Sequence, residues 1–280
     1  MLDSRFAANA PVPKSLIVAS GKGGVGTSVI AAITAITAAE RGDRVLLIDA
    51  TESGGTHHHL FGARPTHSLW MLSNASVNPS DVALKIDDHL SLVAGGTSGS
   101  AITPANDAER RTALSRVTQL YAGYDFVVLD AGSRLDTISA ACEIGVPSVL
   151  LVTSADRLSL AANYALVKSI NGRRPGMALS VVANRHGEAL AEQACEFLIG
   201  ACSHFLNRSI EIVGAIPDDP CMQAAVGAGM SVRDAIEGSP AADAVRGVLS
   251  RLLPSPRSAA RPATFSLSSS SLPIPSRRWS

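Results

Sequence analysis

The segment from Gly21 to Ser28, GKGGVGTS, contains residue types that together can bind phosphate groups. Glycine has no side chain, so several glycines in one short loop allow backbone N–H groups to turn toward the same anion. The hydroxyl group of Ser28 can coordinate a magnesium ion, and the carboxylate of Asp130, at the end of the apolar run DFVVLD, can hold a water of that ion. This combination predicts that the chain binds a polyphosphate together with Mg²⁺.

One position of this loop departs from the usual phosphate-loop pattern, G-x-x-x-x-G-K-[ST]. Thr27 stands where the lysine is expected. In a usual loop that ammonium group contacts the outer phosphates and stabilises charge in the transition state, whereas threonine carries no charge. We expect the loop to bind its ligand mainly through the backbone and chemistry on that ligand to be slow. The predicted binding residues of the loop are Gly21, Gly23, Gly24, Val25, Gly26, Thr27 and Ser28.

The elements on either side of the loop are those that a phosphate site requires. The apolar run SLIVAS precedes it, and an alanine-rich segment with the pattern of a helix follows it. Similar apolar runs recur along the chain between helical patterns, at residues 44–50, 89–96, 125–132, 148–155, 178–185 and 210–217. Strands that are apolar throughout and alternate with helices predict an α/β fold with a doubly wound, mostly parallel sheet and helices on both faces.

Composition limits the classes of function. The chain has 280 residues, of which 46% are hydrophobic and 4% aromatic, so aliphatic side chains must form the core. Its 24 basic and 24 acidic residues give a net charge of +0, and we expect no sequence-specific nucleic-acid partner. No apolar run reaches the roughly 18 residues of a membrane-spanning helix, and the N-terminus lacks a signal-peptide pattern. We therefore expect a cytoplasmic protein with at most peripheral contact with the inner membrane or a cell pole.

The early lysine of the loop gives a more specific resemblance. The residues GKGGVG resemble the deviant Walker A motif of the MinD/ParA family of P-loop ATPases, usually K-G-G-V-G-K-[ST]. The resemblance extends from about Ser15 to about Leu253 and implies ATP and Mg²⁺ as ligands. It also implies an ATP-bound homodimer in which Lys22, a catalytic residue of the family, reaches the phosphates of the partner. We expect a flexible tail over residues 1–13, a P-loop ATPase domain over 14–253 and a disordered Ser/Pro/Arg-rich tail over 254–280.

Two further segments resemble the catalytic segments of this family. In VLLIDATESGG, Asp49 matches the first aspartate of a D-x-D motif and is expected to be catalytic. Thr51 replaces the second aspartate, which in the family orients the attacking water, and Glu52 beside it should point elsewhere. In YDFVVLDAGSRLD, Asp130 matches the magnesium-binding aspartate. With both Thr27 and Thr51 at catalytic positions, hydrolysis of ATP is expected to be weak or lost, and whether the chain is an enzyme stays open.

Two later segments resemble those that contact adenine in the family. VVANRHGE places Asn184 and Arg185 at a strand end, and GAIPDDPCMQAAV contains a loop with Pro217 and Asp218. We expect these residues to bind the nucleotide base. A run of histidines, His57 to His59, follows the first aspartate segment; because consecutive side chains point apart, we interpret it as a polar surface turn and not as a metal site.

The process that the chain serves is open between branches of the family. LFGARPTHSLWML, HLSLVAGGTSG and FLNRSIEIVGAIPDD resemble segments of the flagellar-number branch, FlhG/FleN, which favours a spatial regulator of flagellar number or placement. The lost catalytic side chains also favour a non-hydrolysing scaffold, since the pilus-associated TadZ/CpaE proteins and the cellulose-secretion protein BcsQ can carry a similar loop. The expected partner is accordingly a flagellar or pilus assembly protein. DNA partitioning in the manner of ParA would require a basic surface, which the neutral charge does not indicate.

Overall fold

An eight-stranded sheet forms the centre of the computed structural model, which describes residues 14–52, 55–96 and 104–253. Its order is β3-β4-β2-β5-β1-β6-β7-β8, and every neighbouring pair is parallel except β3 with β4. The strands are β1 (Lys14–Ala19), β2 (Val45–Asp49), β3 (Ala83–Lys85), β4 (Leu90–Val93), β5 (Phe126–Gly132), β6 (Ser148–Thr153), β7 (Ala178–Asn184) and β8 (Glu211–Ile216). This sheet confirms the predicted doubly wound, mostly parallel α/β fold. The tails predicted over 1–13 and 254–280 lie outside the described residues.

Helices cover both faces of the sheet. They are α1 (Thr27–Glu40), α2 (His57–Leu60), α3 (Asp107–Val117), α4 (Leu135–Glu143), α5 (Arg157–Arg173), α6 (Glu188–Leu206), α7 (Pro220–Gly227), α8 (Val232–Ala235) and α9 (Pro240–Leu252). Short 3₁₀ helices lie at Leu69–Ser73, Pro79–Val82 and Thr118–Gly123. One apolar cluster joins the sheet to α3, α4, α5 and α6, and a second joins the other face to α1, α7, α8 and α9.

The alternation of side chains along each strand explains why these runs are apolar at every position. In β1, Ile17 and Ala19 belong to the first cluster, whereas Leu16 and Val18 belong to the second. Successive side chains of a strand point to opposite faces, and both faces of this sheet are covered by helices. Each strand residue is therefore buried whichever way it points.

The sequence did not predict the antiparallel edge strand β3. This strand has three residues, and Lys85 at its end is exposed. So short a segment carries no alternating pattern, and pairing with β4 alone defines it. Helix α3 ends at Val117, and a 3₁₀ turn continues the chain from there.

The carboxyl ends of the parallel strands form the edge at which the candidate site lies. The loop predicted to bind phosphate joins the end of β1 to the start of α1, and Asp49 and Asp130 are neighbouring register partners at the ends of β2 and β5. In open parallel sheets, ligands bind at this edge. Within the described residues, no helix is both long enough and apolar enough to cross a bilayer.

Candidate nucleotide site

The phosphate loop has a backbone shape that requires glycine. Gly24 and Gly26 have φ angles of 80° and 92°, in the left-handed region that residues with a side chain rarely adopt. A Cβ atom added to Gly21 would lie 2.2 Å from the backbone carbon of Ala162 in α5, so the loop packs directly on a helix backbone. A Cβ atom added to Gly24 would meet nothing within 4 Å, because this side of the loop faces open space.

The start of α1 is free to receive an anion. Gly26 occupies its N-cap position, and among the described residues no side chain caps this helix end and none in its first turn is acidic. The first N–H groups of a helix have no partner within the helix, and its N-terminus carries partial positive charge. Such an end, next to a glycine-rich loop, is a ready anion-binding site.

The side chain of Thr27 is engaged within the loop. Its hydroxyl group donates to the Oγ atom of Ser20 at 2.9 Å, and only 7% of the residue is exposed. Its hydroxyl therefore stabilises the loop internally, and does not replace the ammonium group of a usual phosphate loop. Ser28, one residue further on, is partly exposed and lines the adjoining cavity.

Two adjoining cavities lie at this edge of the sheet. The first, here called the phosphate cavity, has a volume of about 370 Å³, and the second, the base cavity, has a volume of about 340 Å³. Gly26, Val29 and Arg185 line both, so the two form one cleft. Of the predicted loop residues, the phosphate cavity is lined by Gly23, Gly24, Gly26, Thr27 and Ser28.

The remaining predicted loop residues lie beneath the cleft. The N–H group of Gly21 donates to Oδ1 of Asn163 at 2.9 Å, and Val25 is 5% exposed within the apolar core. The carbonyl oxygen of Val25 accepts a hydrogen bond of 2.7 Å from Nδ2 of the buried Asn184. These contacts hold the loop against α5 and β7 and fix its shape.

Three of the four residues predicted to contact adenine line the base cavity. These are Asn184, Arg185 and Pro217, whereas Asp218 is exposed and accepts a hydrogen bond of 2.6 Å from Gln223. Asp219 lines the cavity in its place. Asp219 is buried, and its carboxylate caps α7 by accepting from the N–H group of Met222 and also accepts from the hydroxyl group of Ser239.

Lys22 does not line either cavity. Its Nζ atom forms an ion pair of 3.3 Å with Asp156, and the two side chains are 38% and 44% exposed. Asp156 follows β6 and caps α5; the hydroxyl group of Ser154, the N–H group of Ser159 and then Lys22 together lower the pKa of its carboxyl group to about 2. In this single chain the lysine is thus held beside the cleft by a partly exposed acidic partner.

Asp49 and Asp130 form a buried acidic pair behind the phosphate cavity. The Asp49 carboxylate accepts from the N–H groups of Thr51, Thr56 and His57 at 3.0, 2.7 and 3.0 Å, and from the hydroxyl group of Thr51 at 2.5 Å. The Asp130 carboxylate accepts from the N–H group of Gly132 and lies 2.9 Å from Nε2 of His57. Both carboxylates are therefore stabilised by donors from the protein.

The interpretation of His57 to His59 as a polar surface turn is wrong for two of these residues. His57 is 0% exposed and His58 is 3% exposed, both on α2, while His59 is exposed. Burial by itself lowers the pKa of His57, but the hydrogen bond to Asp130 and the charges of Asp49 and Asp130 raise it above its ordinary value. A buried imidazole is tolerated here because it faces two carboxylates.

Among the described residues, one group could geometrically hold a metal ion: Asp49, His57 and Asp130, whose ligand atoms lie within 4.8 Å of one another. The Asp49 oxygens already accept N–H and O–H donors, and Nε2 of His57 is engaged with Asp130. The three side chains are thus already engaged with hydrogen-bond donors and with one another.

A second buried ion pair joins the segments on either side of the phosphate cavity. Glu52, whose side chain is 7% exposed, accepts from Nε of Arg110 at 2.7 Å and from the hydroxyl group of Thr137. Its Oε2 atom also lies 3.0 Å from Nε of Arg134, at the start of α4. Although burial opposes ionisation, these partners hold the pKa of Glu52 below its usual range.

The residues of the cleft fit ATP, the ligand that the family resemblance implies. The loop faces open space at Gly24, the helix end next to it has no side-chain cap, and the volume of the cleft is in the range typical of ligand sites. Ser28 lines the phosphate cavity, and its hydroxyl group would be the one to coordinate Mg²⁺. Asp130 lies behind the cavity, hydrogen-bonded to His57, so it would act on the ion through water.

Comparison with known proteins agrees with this geometry. Residues 16–232 match the CobQ/CobB/MinD/ParA nucleotide binding domain. The chain belongs to this family. The antiactivator FleN of Pseudomonas aeruginosa is 24% identical over 238 residues, covering 85% of each chain. The flagellum site-determining protein YlxH of Helicobacter pylori is 22% identical over 215 residues, 75% of this chain and 71% of YlxH.

A solved member of the family has the same fold. The septum site-determining protein MinD of Pyrococcus horikoshii, complexed with Mg-ADP, matches with a TM-score of 0.69 and 19% identity, over 86% of this chain and 96% of that chain. The predicted resemblance to MinD/ParA P-loop ATPases, and within them to the flagellar-number branch, is confirmed.

Within this MinD/ParA cleft, sequence reasoning did not find His57, Arg134 or Asp156 as parts of the site. Asp156 lies just beyond the end of β6, at the ligand-binding edge of the sheet, and this position was a usable signal. Arg134 lies just beyond the end of β5 at the same edge and offered the same signal. His57 carried no such signal, because its partner Asp130 lies far from it in the sequence.

Proposed function

We propose that this chain is a nucleotide-dependent spatial regulator, which binds Mg-ATP, dimerises in the bound state and hydrolyses ATP slowly or not at all. The process proposed for it is the control of flagellar number or placement. One observation carries this proposal. The cleft has a glycine loop and an uncapped helix start that can bind phosphate, whereas Thr27 and Thr51, at two catalytic positions of the family, direct their hydroxyl groups to Ser20 and Asp49.

Binding is supported by the backbone of the site. The glycines of the loop and the uncapped start of α1 offer N–H groups to phosphate oxygens, and these groups do not depend on the residue at position 27. Ser28 would coordinate Mg²⁺, and Asn184, Arg185 and Pro217 would contact the base. When bound, Mg²⁺ would neutralise part of the charge of the triphosphate.

Weak turnover is supported by the two threonines. The hydroxyl group of Thr27 is directed to Ser20 and that of Thr51 to Asp49, so neither faces a phosphate or a water through a free donor. A group that stabilises developing charge, as the lysine missing at position 27 would, contributes about 10²–10³-fold to the rate in well-studied enzymes. The aspartate missing at position 51 would orient the attacking water. Loss of both is expected to leave little catalysis.

Dimerisation is supported by the state of Lys22. Its ion pair with Asp156 is partly exposed, and pairs of this kind contribute only about 0–1 kcal/mol. The lysine can therefore exchange this carboxylate for the more highly charged phosphates of a nucleotide on a second copy. We propose that this exchange couples ATP binding to assembly.

Sedimentation equilibrium with and without Mg-ATP tests this function. We expect a monomer without nucleotide, a dimer with Mg-ATP, and loss of the dimer in Lys22→Ala but not in the matched variant Lys168→Ala, which removes an exposed lysine of α5. Phosphate release, followed on the same samples, should be slow. An assembly state that ignores nucleotide, or one unaffected by Lys22→Ala, contradicts the proposed switch.

The second candidate function is a non-hydrolysing scaffold for pilus assembly or cellulose secretion. The engaged hydroxyl groups of Thr27 and Thr51 favour it equally. Deleting the gene separates the two candidates: altered numbers or positions of flagella support the first, whereas normal flagella with lost pili or lost cellulose support the second.

A further inference from the structure

The phosphate cavity contains positive charge that does not come from the glycine loop. Among the described residues that line this cavity, the charged ones are Glu52, Arg134 and Arg185. Lys22 is directed to Asp156 instead. A site for a triphosphate that lacks the usual loop lysine therefore still contains two guanidinium groups.

Of the two arginines, Arg134 is on the phosphate side of the cleft. Arg185 also lines the base cavity, whereas Arg134 lines the phosphate cavity alone. The residue before it, Ser133, packs beside the glycine loop, since a Cβ atom added to Gly23 would lie 3.5 Å from Ser133 Oγ. Arg134 thus follows directly a segment that touches the loop.

Glu52, the carboxylate that Arg134 contacts in this structure, keeps other hydrogen-bond donors when Arg134 leaves it. Glu52 already has two hydrogen bonds from the guanidinium group of Arg110, whose side chain is 5% exposed, and one from Thr137. One carboxylate is therefore shared by two arginines, and removal of Arg134 leaves no buried charge unpaired. Breaking a buried ion pair is strongly destabilising when it leaves a buried charge without a partner. When Arg134 leaves, Glu52 keeps Arg110 as its partner, so this destabilisation does not arise.

The side chain of Arg134 is also free to move. It is 55% exposed, and its second acidic neighbour, Asp136 at 3.5 Å, is 57% exposed. Exposed ion pairs are weak, whereas a guanidinium group binds phosphate with two parallel hydrogen bonds and is favoured for that purpose. A terminal phosphate is therefore a stronger partner for Arg134 than the two carboxylates it now contacts.

We propose that Arg134 is a nucleotide-binding residue, which leaves Glu52 and contacts the terminal phosphate of ATP in place of the lysine missing at position 27. This inference rests on the proposed nucleotide binding. It adds a residue whose contact with the terminal phosphate makes the affinity for ATP differ from the affinity for ADP. It follows that the chain distinguishes ATP from ADP through the segment after β5. The ion pair between Glu52 and Arg110 stays in place when Arg134 moves to the phosphate.

Calorimetric titration of the full chain with ATP, ADP and AMP, each with Mg²⁺, tests the proposal. The variants are Arg134→Ala, Arg134→Lys and the matched control Arg111→Ala, which removes an exposed arginine of α3 and changes the net charge equally. We expect Arg134→Ala to bind ATP about tenfold more weakly, with ADP changed by less than about threefold. Arg134→Lys should recover part of the loss, and Arg111→Ala should match the wild type.

The outcomes separate this proposal from the one on which it rests. A wild-type chain that binds no nucleotide overturns both. A wild-type chain that binds ATP, with Arg134→Ala equal to Arg111→Ala, overturns the role of Arg134 alone. Equal losses for ATP and ADP also contradict contact with the terminal phosphate. Urea denaturation of each variant shows whether it is folded, and the ratio of ATP to ADP affinity is a readout that a loss of stability would not change.

Discussion

Replacing Gly26 with alanine tests how the phosphate loop is held in shape. The residue has a φ angle of 92°, and an added Cβ atom would lie 2.4 Å from Nδ2 of Asn184. That nitrogen donates the hydrogen bond of 2.7 Å to the carbonyl oxygen of Val25. The new methyl group must displace the amide and so break the contact between β7 and the loop. Gly24→Ala is the matched control, because its φ angle is 80° and an added Cβ atom meets nothing within 4 Å.

The unfolding free energies of the two variants should differ by the contribution of one buried hydrogen bond. In both variants, the alanine side chain in the left-handed region lowers the unfolding free energy by about 1–2 kcal/mol. Only Gly26→Ala also breaks the hydrogen bond between the buried amide of Asn184 and the carbonyl oxygen of Val25, which lowers the unfolding free energy further, by about 1–3 kcal/mol. We therefore expect Gly26→Ala to have an unfolding free energy about 1–3 kcal/mol below that of Gly24→Ala.

Urea denaturation without nucleotide, followed by circular dichroism, measures this difference. A third variant, Asn184→Ala, removes the same hydrogen bond without changing the glycine, so in the double variant Gly26→Ala should add only the roughly 1–2 kcal/mol of its left-handed backbone. Equal stabilities of the Gly24 and Gly26 variants, or additive effects of Gly26→Ala and Asn184→Ala, would refute the reasoning.

Three more predictions concern the catalytic positions, the lysine partner and the buried imidazole. Thr27→Lys should raise phosphate release less than about tenfold while Thr51 remains, and adding Thr51→Asp should raise it by more than the product of the single effects; a single variant as fast as the double contradicts this. Because the pKa of Asp156 is lowered from 3.8 to about 2, its charge stabilises the fold above pH 3.8 and loses this effect toward pH 2. The stability difference between the wild type and Asp156→Asn should therefore fall by about half at pH 3, and a difference independent of pH in urea titrations refutes the pairing. His57→Val should lower the unfolding free energy by about 1–3 kcal/mol relative to His59→Val, which alters an exposed imidazole of the same helix; equal stabilities would contradict the buried hydrogen bond.

The fold was predictable from the sequence because each strand of the parallel sheet is buried on both faces. Runs such as SLIVAS and RVLLIDA are apolar at every position for that reason, and the glycine loop between the first run and its helix locates the site. The edge strand β3 lacks this property, since it pairs with one neighbour only and ends at an exposed lysine. It exists only as the antiparallel partner of β4, which follows it closely in the chain, and three residues are too few to show an alternating pattern.

The charged groups around the phosphate cavity were less predictable. His57 is polar and stands in a run of histidines, which indicates a surface, yet it is buried because Asp130 from β5 lies against its ring. Glu52 was expected to point away from the attacking water, and the structure turns it toward Arg110 and Arg134. In each case the partner comes from a distant segment, and only the folded sheet brings the two together.

Hydrogen exchange of the loop from Gly21 to Ser28, with and without Mg-ATP, tests the central claim most directly. The claim is that main-chain N–H groups of this loop hold the phosphates of a nucleotide. We predict slower exchange in peptides covering residues 21–28 when ATP and Mg²⁺ are added, with smaller effects for residues 184–185. Unchanged exchange over residues 21–28 at millimolar Mg-ATP would contradict the nucleotide site and the function built on it.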